Sequence, residues 1–407
     1  MTWLDPPAHR TRLADEFVRL LDFGTTIAHP AGGAAWLDDH GRPDLERGAL
    51  TWITCRMLHV HAIAAMTGRP GSRELAQRLL DGLAGPLRDP QHDGWFHRLD
   101  GEGRPDPSAG KSCYDHAFVL LGSSSAVVAG LDGADDLLAA ATDVFLQRFW
   151  DDDAGRCRDH LSADWSELDP YRGLNANMHA VEAMLAVADA TGDDRWRGRA
   201  ARIAALVVDL AASYDGRLPE HFDEDWTPQP EHNRDRPADP FKPYGATVGH
   251  GLEWSRLLLH LEAANADPSE RLLPTARLLF DRAVADGWEV DGAPGFVYTT
   301  DWSGDPVVHD RMHWVVAEAL AAAAALWRRT GEAPYDALFA RWWEHVEDCF
   351  VDREAGSWHH QLDARNRPAT GVWPGKPDLY HAVQATLLPR LPLAPTLARA
   401  VRDGADL

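Results

Sequence analysis

A histidine and a glutamate three residues apart stand in the stretch Phe241-Lys-Pro-Tyr-Gly-Ala-Thr-Val-Gly-His-Gly-Leu-Glu253. The stretch begins as a loop punctuated by Pro and Gly and continues as an apolar helix, so His250 and Glu253 share one helix face. A carboxylate beside an imidazole raises its basicity and fixes its orientation, which a proton-transferring histidine requires. The pair predicts general acid–base chemistry, although a histidine that caps a helix or is satisfied in the core gives the same local pattern.

Ionisable residues recur at nearly the same place in five apolar segments of the chain. Counted from the glycine of the loop that precedes each segment, they are Arg56 (+23), His116 (+22), His179 (+24), Glu318 (+23) and His381 (+25). His250 occupies the equivalent segment after a longer loop. A buried charge or imidazole carries a desolvation cost unless it is partnered. The repetition therefore predicts a polar pocket inside an apolar ring of helices. The alternative is that each of these residues is a core group whose hydrogen bonds are satisfied.

Aromatic and amide side chains accompany these ionisable residues. Trp52 lies one helical turn before Arg56, and Asn175 lies one turn before His179, so each pair shares a helix face. Further aromatic residues expected to line the same pocket are Tyr114, Trp314 and Trp373. Aromatic rings stack on the C–H faces of sugars, while imidazole, amide and guanidinium groups bind hydroxyls. The sequence thus predicts a neutral polyhydroxy ligand.

A metal site is the main alternative use of these histidines. His179, His250 and His381 could in principle form a three-histidine site. However, no two of them stand at HxH or HxxxH spacing, and Glu253 is not part of an HExxH motif. The sequence also contains no Gly-rich phosphate loop and no GxSxG motif. We therefore expect neither a metal nor another cofactor.

Six loops resemble one another and divide the chain into units. They are Gly33-Ala-Ala-Trp-Leu-Asp, Gly94-Trp-Phe-His-Arg-Leu-Asp, Gly155-Arg-Cys-Arg-Asp-His-Leu, Gly216-Arg-Leu-Pro-Glu-His-Phe-Asp, Gly295-Phe-Val-Tyr-Thr-Thr-Asp and Gly356-Ser-Trp-His-His-Gln-Leu-Asp. Their glycines lie 61, 61, 61, 79 and 61 residues apart, and a fixed period indicates a repeat architecture. Each period has room for two helices and a hairpin. We predict an all-α fold, an (α/α)6 barrel of six helix pairs with short β-hairpin loops, that forms one domain over residues 1–407.

Apolar residues recur at helical spacing throughout the chain, and we see no sustained alternation of the kind that strands show. Helices are expected near residues 8–24, 46–67, 72–87, 114–130, 137–145, 171–191, 194–213, 247–264, 268–286, 308–330, 334–350 and 379–390. The long fourth interval contains about 18 extra residues, which we place between Asp223 and Pro243. A long polar loop on a compact scaffold is usually functional or disordered, and its position favours a substrate lid.

The charge balance argues against two classes of partner. The chain has 40 Lys and Arg against 63 Asp and Glu, a net charge of −23, whereas binding to nucleic acid or to an anionic membrane requires a positive field. The four cysteines show no CxxC spacing, and no hydrophobic signal segment opens the sequence. We expect a reduced, cytoplasmic setting. Homo-oligomerisation is left open.

Four motifs together resemble the N-acylglucosamine 2-epimerase superfamily. They are Trp52-Ile-Thr-Cys-Arg-Met, Asn175-Ala-Asn-Met-His-Ala-Val-Glu-Ala, Gly249-His-Gly-Leu-Glu-Trp and Asp378-Leu-Tyr-His-Ala. The resemblance covers nearly the whole chain. It is strongest to the branch of aldose–ketose isomerases that act on mannose or sulfoquinovose. It implies an (α/α)6 barrel, no required metal, and two catalytic histidines at the positions of His250 and His381.

The resemblance also implies roles for the surrounding residues. The positions that match substrate-contacting or supporting residues are Trp52, Arg56, Tyr114, Asn175, His179, Glu253, Trp314 and Trp373. Glu318 is added as a candidate because it stands at the repeated inner-helix position. Lys242 stands where related loops often carry arginine, and Gln361 is a further polar candidate, but Pro377 occupies a place where a sulfonate would need a polar group. Unmodified mannose, converted to fructose, is therefore favoured over sulfoquinovose.

The expected mechanism is proton transfer through an ene-diol. His381 is expected to act as the base on C2 and C1, while His250, held by Glu253, opens the sugar ring and shuttles a proton between oxygens. Arg56 would stabilise developing oxyanion charge. A sugar 2-epimerase could use the same two histidines. A glycoside hydrolase would need two facing carboxylates, for which Glu253 and Glu318 are the candidates, and a non-catalytic sugar-binding protein is the third alternative.

Overall fold

The computed structural model describes residues 3–405, which form thirteen helices and a set of short strands. The helices are α1 (Pro7–Phe23), α2 (Thr51–Met66), α3 (Ser72–Ala84), α4 (Cys113–Ala129), α5 (Ala134–Val144), α6 (Leu174–Thr191), α7 (Arg195–Ser213), α8 (Val248–Ala264), α9 (Leu272–Gly287), α10 (His313–Thr330), α11 (Ala333–His345), α12 (Tyr380–Leu387) and α13 (Leu397–Arg402). All twelve predicted helices are found. The short α13 was not predicted, since six residues give too little periodicity.

The strands form small antiparallel pairs in the loops, and only some of these pairs are hairpins. They are β1 (Ala35–Leu37), β2 (Pro43–Leu50), β3 (Arg98–Leu99), β4 (Lys111–Ser112), β5 (Trp150–Asp151), β6 (Arg156–Cys157), β7 (His160–Leu161), β8 (Arg172–Gly173), β9 (His221–Phe222), β10 (Ala246–Thr247), β11 (Thr299–Thr300), β12 (Pro306–Val308), β13 (Arg311–Met312) and β14 (Gln361–Leu362). β1, β2 and β3 pair in order, as do β10, β11 and β12, and the others pair in twos. α2 and α10 each start five residues later than expected, since β2 and β13 take up residues before them.

The helices form two concentric rings. α2, α4, α6, α8, α10 and α12 each contact the next, and α12 returns to α2, so the inner ring is closed. The inner helices are buried almost throughout, as in α10, where every residue from Val315 to Leu326 is buried. The outer helices bury one stripe, as α3 does through Leu75, Leu79 and Leu83, in keeping with the amphipathic pattern of a surface helix. The (α/α)6 barrel is therefore confirmed.

The inner helices begin at the same end of the barrel, where the short loop strands lie, and we call this end the hairpin side. β2, β4, β8, β10 and β13 each end one residue before an inner helix begins. The amino-terminal ends of these inner helices thus face the hairpin side of the barrel, and their carboxyl-terminal ends face α13, which contacts α2, α4 and α6. Residues in the first two turns of the inner helices are consequently brought together at the hairpin side.

The six repeat glycines share one backbone conformation. Their φ angles are positive: 77° at Gly33, 75° at Gly94, 72° at Gly155, 79° at Gly216, 113° at Gly295 and 93° at Gly356. This region is unfavourable for residues with a Cβ atom. The turn at Gly33 also lies against α3, where a Cβ at Gly82 would come within 2.2 Å of the Gly33 amide nitrogen. The period read from the sequence therefore marks one structural turn in every unit.

Buried cations tie these turns to the following helix pair. Lys111 is fully buried and donates a 2.7 Å hydrogen bond to Asp89 ahead of Gly94. Lys376 is also fully buried and donates at 2.6 Å to Asp352 ahead of Gly356. In both cases the cation precedes an inner helix, so the pair joins successive units.

We found no helix among residues 3–405 that is long and apolar enough to cross a membrane. The four cysteines are free thiols, consistent with the lack of pairing expected from their spacing.

Replacing Lys111 by methionine is expected to lower the free energy of unfolding by about 3 kcal/mol, because it leaves the carboxylate of Asp89 buried without its cation. Urea unfolding followed by circular dichroism measures the change. The matched control is Arg104→Met, which removes a largely exposed partner of Asp100 and is expected to change stability by less than about 0.5 kcal/mol. Equal effects of the two substitutions would contradict the role of the buried pair.

Candidate active site

A cavity of about 610 Å³ opens at the hairpin side of the barrel, inside the inner ring. Ten of the thirteen residues predicted for the site line it: Trp52, Arg56, Tyr114, Asn175, His179, His250, Glu253, Trp314, Trp373 and His381. They come from all six inner helices and from the loop before α12. The shared direction of the inner helices explains this convergence, since most of these residues stand in the first two turns.

His381 is held by a carboxylate on one ring nitrogen. Its Nδ1 lies 3.0 Å from Glu318 Oε1 in a hydrogen bond between α12 and α10. A carboxylate can only accept, so Nδ1 carries the proton and Nε2 is the nitrogen left to face the cavity. Burial lowers the pKa of His381, and the bond to Glu318 offsets part of that effect. The neutral imidazole therefore presents a bare nitrogen to a ligand, as a general base must.

His250 also has a carboxylate close to Nδ1, but from a different residue than the one expected. Its Nδ1 lies 2.9 Å from Glu220 Oε1 in the loop before β9, so the prediction that Glu253 holds this imidazole is wrong. Side chains on a helix lean toward its amino terminus, and His250 stands in the first turn of α8, where it reaches the loop. Glu253, one turn deeper, lies beside Arg256 instead, 3.4 Å away.

Both histidines flank the indole of Trp314. The ring centroid of Trp314 is 5.2 Å from that of His250 and 5.9 Å from that of His381. The two imidazoles are inclined to the indole by 38° and 39°. The cavity thus brings two carboxylate-held imidazoles to one aromatic wall, and both keep Nε2 for the ligand.

Arg256 lies below the cavity and contacts three carboxylates. Its Nε donates to Glu318 at 2.9 Å, and its terminal nitrogens lie 3.4 Å from Glu253 and 3.9 Å from Glu182. Burial raises the pKa of Glu318, but Arg256 and His381 outweigh it and hold that pKa below its usual value. Burial and the nearby Glu318 raise the pKa of Glu253 well above its usual value. Of these two carboxyl groups, the surroundings therefore favour the ionised form of Glu318 and the protonated form of Glu253.

Arg56 is the cation of the cavity wall. It forms a buried ion pair with Asp378 at 3.2 Å and donates to the hydroxyl of Tyr114 at 2.9 Å. Its guanidinium also lies 4.8 Å from the ring centroid of Trp52. These contacts fix the guanidinium at the cavity, where it can act on a bound oxygen.

His179 is buried behind Tyr114, with the ring centroids 5.2 Å apart. Burial lowers its pKa to about 4, so the imidazole is neutral at physiological pH. Together with Asn175 it supplies uncharged hydrogen-bonding groups to the cavity.

Three residues predicted to bind substrate lie outside the cavity lining. Glu318 lies behind His381 and reaches a ligand only through that imidazole. Lys242 turns away, and its Nζ lies 3.6 Å from the ring centroid of Tyr171. Gln361 accepts hydrogen bonds from the backbone of Val372 and Trp373 at 2.7 Å and 2.9 Å, so it holds a loop of the wall.

The prediction that His116 belongs to the polar ring is wrong. Its Nδ1 bonds to the carbonyl of Ser112 at 2.7 Å, and its Nε2 accepts from the amide of Trp95 at 3.2 Å. The α4 residue that faces the cavity is Tyr114, two positions earlier and therefore on a different helix face. His116 is a satisfied core histidine.

Several cavity residues were missed by sequence reasoning. His313 and His360 stack with ring centroids 3.7 Å apart, and both line the cavity beside His381. Other missed lining residues are Pro240, Phe241, Pro243, Tyr298, Pro377 and Asp378. The aligned repeat loops carried a usable signal, because Glu220 and His360 both stand four residues after a repeat glycine.

The inserted loop covers one side of the cavity. Phe241 lies 5.4 Å from Trp373, 5.8 Å from Tyr114 and 6.2 Å from Trp52 between ring centroids. Within the loop, Asn233 donates to the carbonyl of Lys242 at 2.7 Å. The segment expected as a lid therefore closes the aromatic wall.

One group of metal-ligand residues comes together in the part of the chain that the structure describes. Ligand atoms of His179, Glu182 and Glu253 lie within 4.8 Å of one another. The guanidinium of Arg256 lies 3.9 Å from Glu182 and 3.4 Å from Glu253. Its positive charge therefore already compensates these two carboxyl groups. The trio His179, His250 and His381 does not bring its ligand atoms together in this way within residues 3–405.

Known proteins resemble the chain in sequence and in fold. Residues 32–385 match the family model described as N-acylglucosamine 2-epimerase. A D-mannose isomerase of Thermobifida fusca is 54% identical over 401 residues, which cover 98% of each chain. One of Pseudomonas cannabina pv. alisalensis is 49% identical over 98% of this chain and 97% of its own. A solved structure of D-mannose isomerase is 29% identical, with a TM-score of 0.87 over 95% of this chain and 99% of that one.

The His381–Glu318 pair predicts how turnover depends on pH. A base whose pKa burial has lowered stays neutral until the pH falls through that lowered value, so the acid limb of kcat/KM is expected below the usual imidazole pKa of about 6.5. Glu318→Gln removes the carboxylate that raises this pKa, which moves the limb to lower pH. It also frees the ring, which should lower kcat by about 10²- to 10⁴-fold.

The matched control is Glu262→Gln, which alters a glutamate on the same barrel that pairs with Arg329 at the outer surface and is expected to leave the pH profile of kcat/KM unchanged. Steady-state kinetics across pH measure both variants. Wild-type kcat in Glu318→Gln would show that the pair does not support the base.

Proposed function

Because the chain belongs to the N-acylglucosamine 2-epimerase family, we propose that this isomerase interconverts D-mannose and D-fructose by proton transfer without a metal. The observation that carries the proposal is the pair of imidazoles, His250 and His381, which flank Trp314 in one cavity and each have a carboxylate on Nδ1. Similarity to D-mannose isomerases over nearly the full chain supports the choice of substrate.

The charges of the cavity favour an unmodified sugar. Arg56 is already paired with Asp378, and burial and the nearby Glu318 raise the pKa of Glu253 well above its usual value, which disfavours its ionised form. A sulfonate or phosphate would need a further cation. Lys242, the expected candidate, lies over Tyr171 instead. The neutral aromatic cavity therefore suits mannose better than sulfoquinovose.

The proton transfer on carbon is assigned to His381. Its bare Nε2 takes the proton from C2 of the open-chain aldose, and the electrons of that bond form the ene-diol as the carbonyl oxygen O1 gains a proton. The imidazolium returns the proton to C1 while O2 loses its proton, which gives the ketose. Glu318 stabilises the intermediate imidazolium, since it accepts from Nδ1 in both protonation states.

Proton transfer among the sugar oxygens is assigned to His250. With Nδ1 facing Glu220, its Nε2 can take the proton of the ring hydroxyl and return it to O5 as the pyranose opens, and it can then move the proton between O1 and O2. Trp314 lies beside both imidazoles.

Negative charge that develops on the ene-diolate oxygens is stabilised by positive groups. Arg56 is held in place by Asp378 and Tyr114, so it needs no rearrangement during the reaction. The amino-terminal ends of the inner helices also point at the cavity, and the helix dipole favours negative charge there. Asn175 and His179 are assigned to the sugar hydroxyls.

Incubation of D-mannose with the enzyme in heavy water, without added metal, is expected to yield D-fructose. Deuterium should appear at C1 of fructose to the extent that the proton on His381 exchanges with solvent during the ene-diol stage. Product chromatography and proton NMR measure both. Glucose as the main product would identify a 2-epimerase, and turnover of sulfoquinovose without turnover of mannose would contradict the proposed substrate.

His250→Ala and His381→Ala serve as the catalytic variants in the same experiment, and each is expected to lower kcat by at least about 10²-fold. The matched control is His359→Ala, a half-buried histidine outside the cavity, which should retain wild-type turnover. Near-wild-type activity in either catalytic variant would remove the mechanism.

A further inference from the structure

A second cavity, of about 520 Å³, lies at the opposite end of the barrel. The later turns of α2, α4, α6 and α8 form its wall, and the start of α13 covers it. Val128, His260, Thr396 and Leu397 form a half-buried rim, which gives access from solvent.

Two histidines that line this second cavity each have a buried ring nitrogen without a hydrogen-bond partner. Ser125 Oγ donates to the carbonyl of Leu121 at 3.1 Å. The 2.7 Å contact between His59 Nδ1 and Ser125 Oγ must therefore be donated by the imidazole. His59 is 4% exposed, and its Nε2 has no partner. In a neutral ring this nitrogen is bare and can only accept a hydrogen bond.

His260 shows the same pattern from the other side. Its Nδ1 donates to the carbonyl of Leu393 at 2.6 Å, which leaves Nε2 bare and also without a partner. The hydroxyl of Ser124, 1% exposed, is a third unpaired polar group of this cavity. Unpaired buried polar groups are costly in a folded protein, so this convergence points to a ligand.

The cavity carries no free charge. Burial lowers the pKa of both His59 and His260 to about 4, so both are neutral at physiological pH. The two charged lining residues, Arg256 and Glu182, belong to the buried ion-pair cluster below the active site. Leu121, Leu185 and Leu257 supply the apolar walls. An ion would find no counter-charge here, whereas a neutral molecule with hydroxyl donors would meet two acceptors and an apolar surface.

We propose that this second cavity, in which the bare Nε2 atoms of His59 and His260 and the hydroxyl of Ser124 face leucine side chains, binds a small neutral polyol. Two ligand hydroxyls donate to the imidazoles, and the carbon chain packs on the leucines. The site is separate from the active site, because Arg256 and Glu182 lie between the two cavities. It does not depend on the substrate assigned above.

D-mannitol tests the proposal, since it has the size of a hexose but no carbonyl group to be converted. Equilibrium dialysis of the full-length enzyme with radiolabelled mannitol counts the bound equivalents. Ser124→Leu fills the cavity from α4, and Ala186→Leu fills it from α6. Each variant is expected to bind one equivalent fewer than the wild type, while mannitol that enters the active site is retained.

The matched control is Val127→Leu, which adds a leucine on α4 next to the cavity but outside its lining and is expected to keep the wild-type number. Two filled variants from different helices guard against a folding defect in one of them. Equal stoichiometry in the wild type and in both filled variants would overturn the proposal. Loss of the same equivalent in Val127→Leu would overturn it as well.

Discussion

The guanidinium of Arg256 lies inside the ring of helices between Glu318, Glu253 and Glu182. Three carboxyl groups could not be buried together without it, since isolated buried charges carry a large desolvation cost. Its position divides their roles: the pKa of Glu318 is lowered, chiefly by Arg256 against the effect of burial, whereas burial and Glu318 raise the pKa of Glu253. An ionised Glu318 then fixes the tautomer of His381, so the chemistry at the cavity depends on a cation that the ligand never touches.

The barrel supplies the geometry for this arrangement. Six inner helices that run in the same direction gather the residues of their first turns at one end, and the same helices leave their last turns at the other. The first end carries aromatic walls and two imidazoles with their carboxylates. The second end carries two imidazoles held by a hydroxyl and a carbonyl. One repeated helix pair therefore produces two chemically different cavities, separated by the ion-pair cluster.

Much of the fold could be predicted because the repeat is local. The left-handed glycine turns, the twelve longer helices and the inner-helix positions of Arg56, His179 and His381 all follow from spacing along the chain. Residues that depend on contacts between loops and helices could not be found in this way. Glu220 meets His250 from a loop 30 residues earlier, and Lys242 lies in an insertion that has no counterpart in other units. The prediction for His116 was wrong for a further reason, since a shift of two residues along a helix places a side chain on a different face.

The proposed chemistry depends most on the tautomers of the two cavity imidazoles, His250 and His381. Nitrogen NMR of isotope-labelled histidines at neutral pH, assigned with single variants of His250 and His381, reports which ring nitrogen carries the proton. Both rings are expected to carry a proton on Nδ1, next to Glu220 and Glu318, and the ring of His381 is expected to be neutral with Nε2 bare toward the cavity. Protonation at Nε2 in the neutral ring of His381 would contradict it, because no base would then face the sugar carbon.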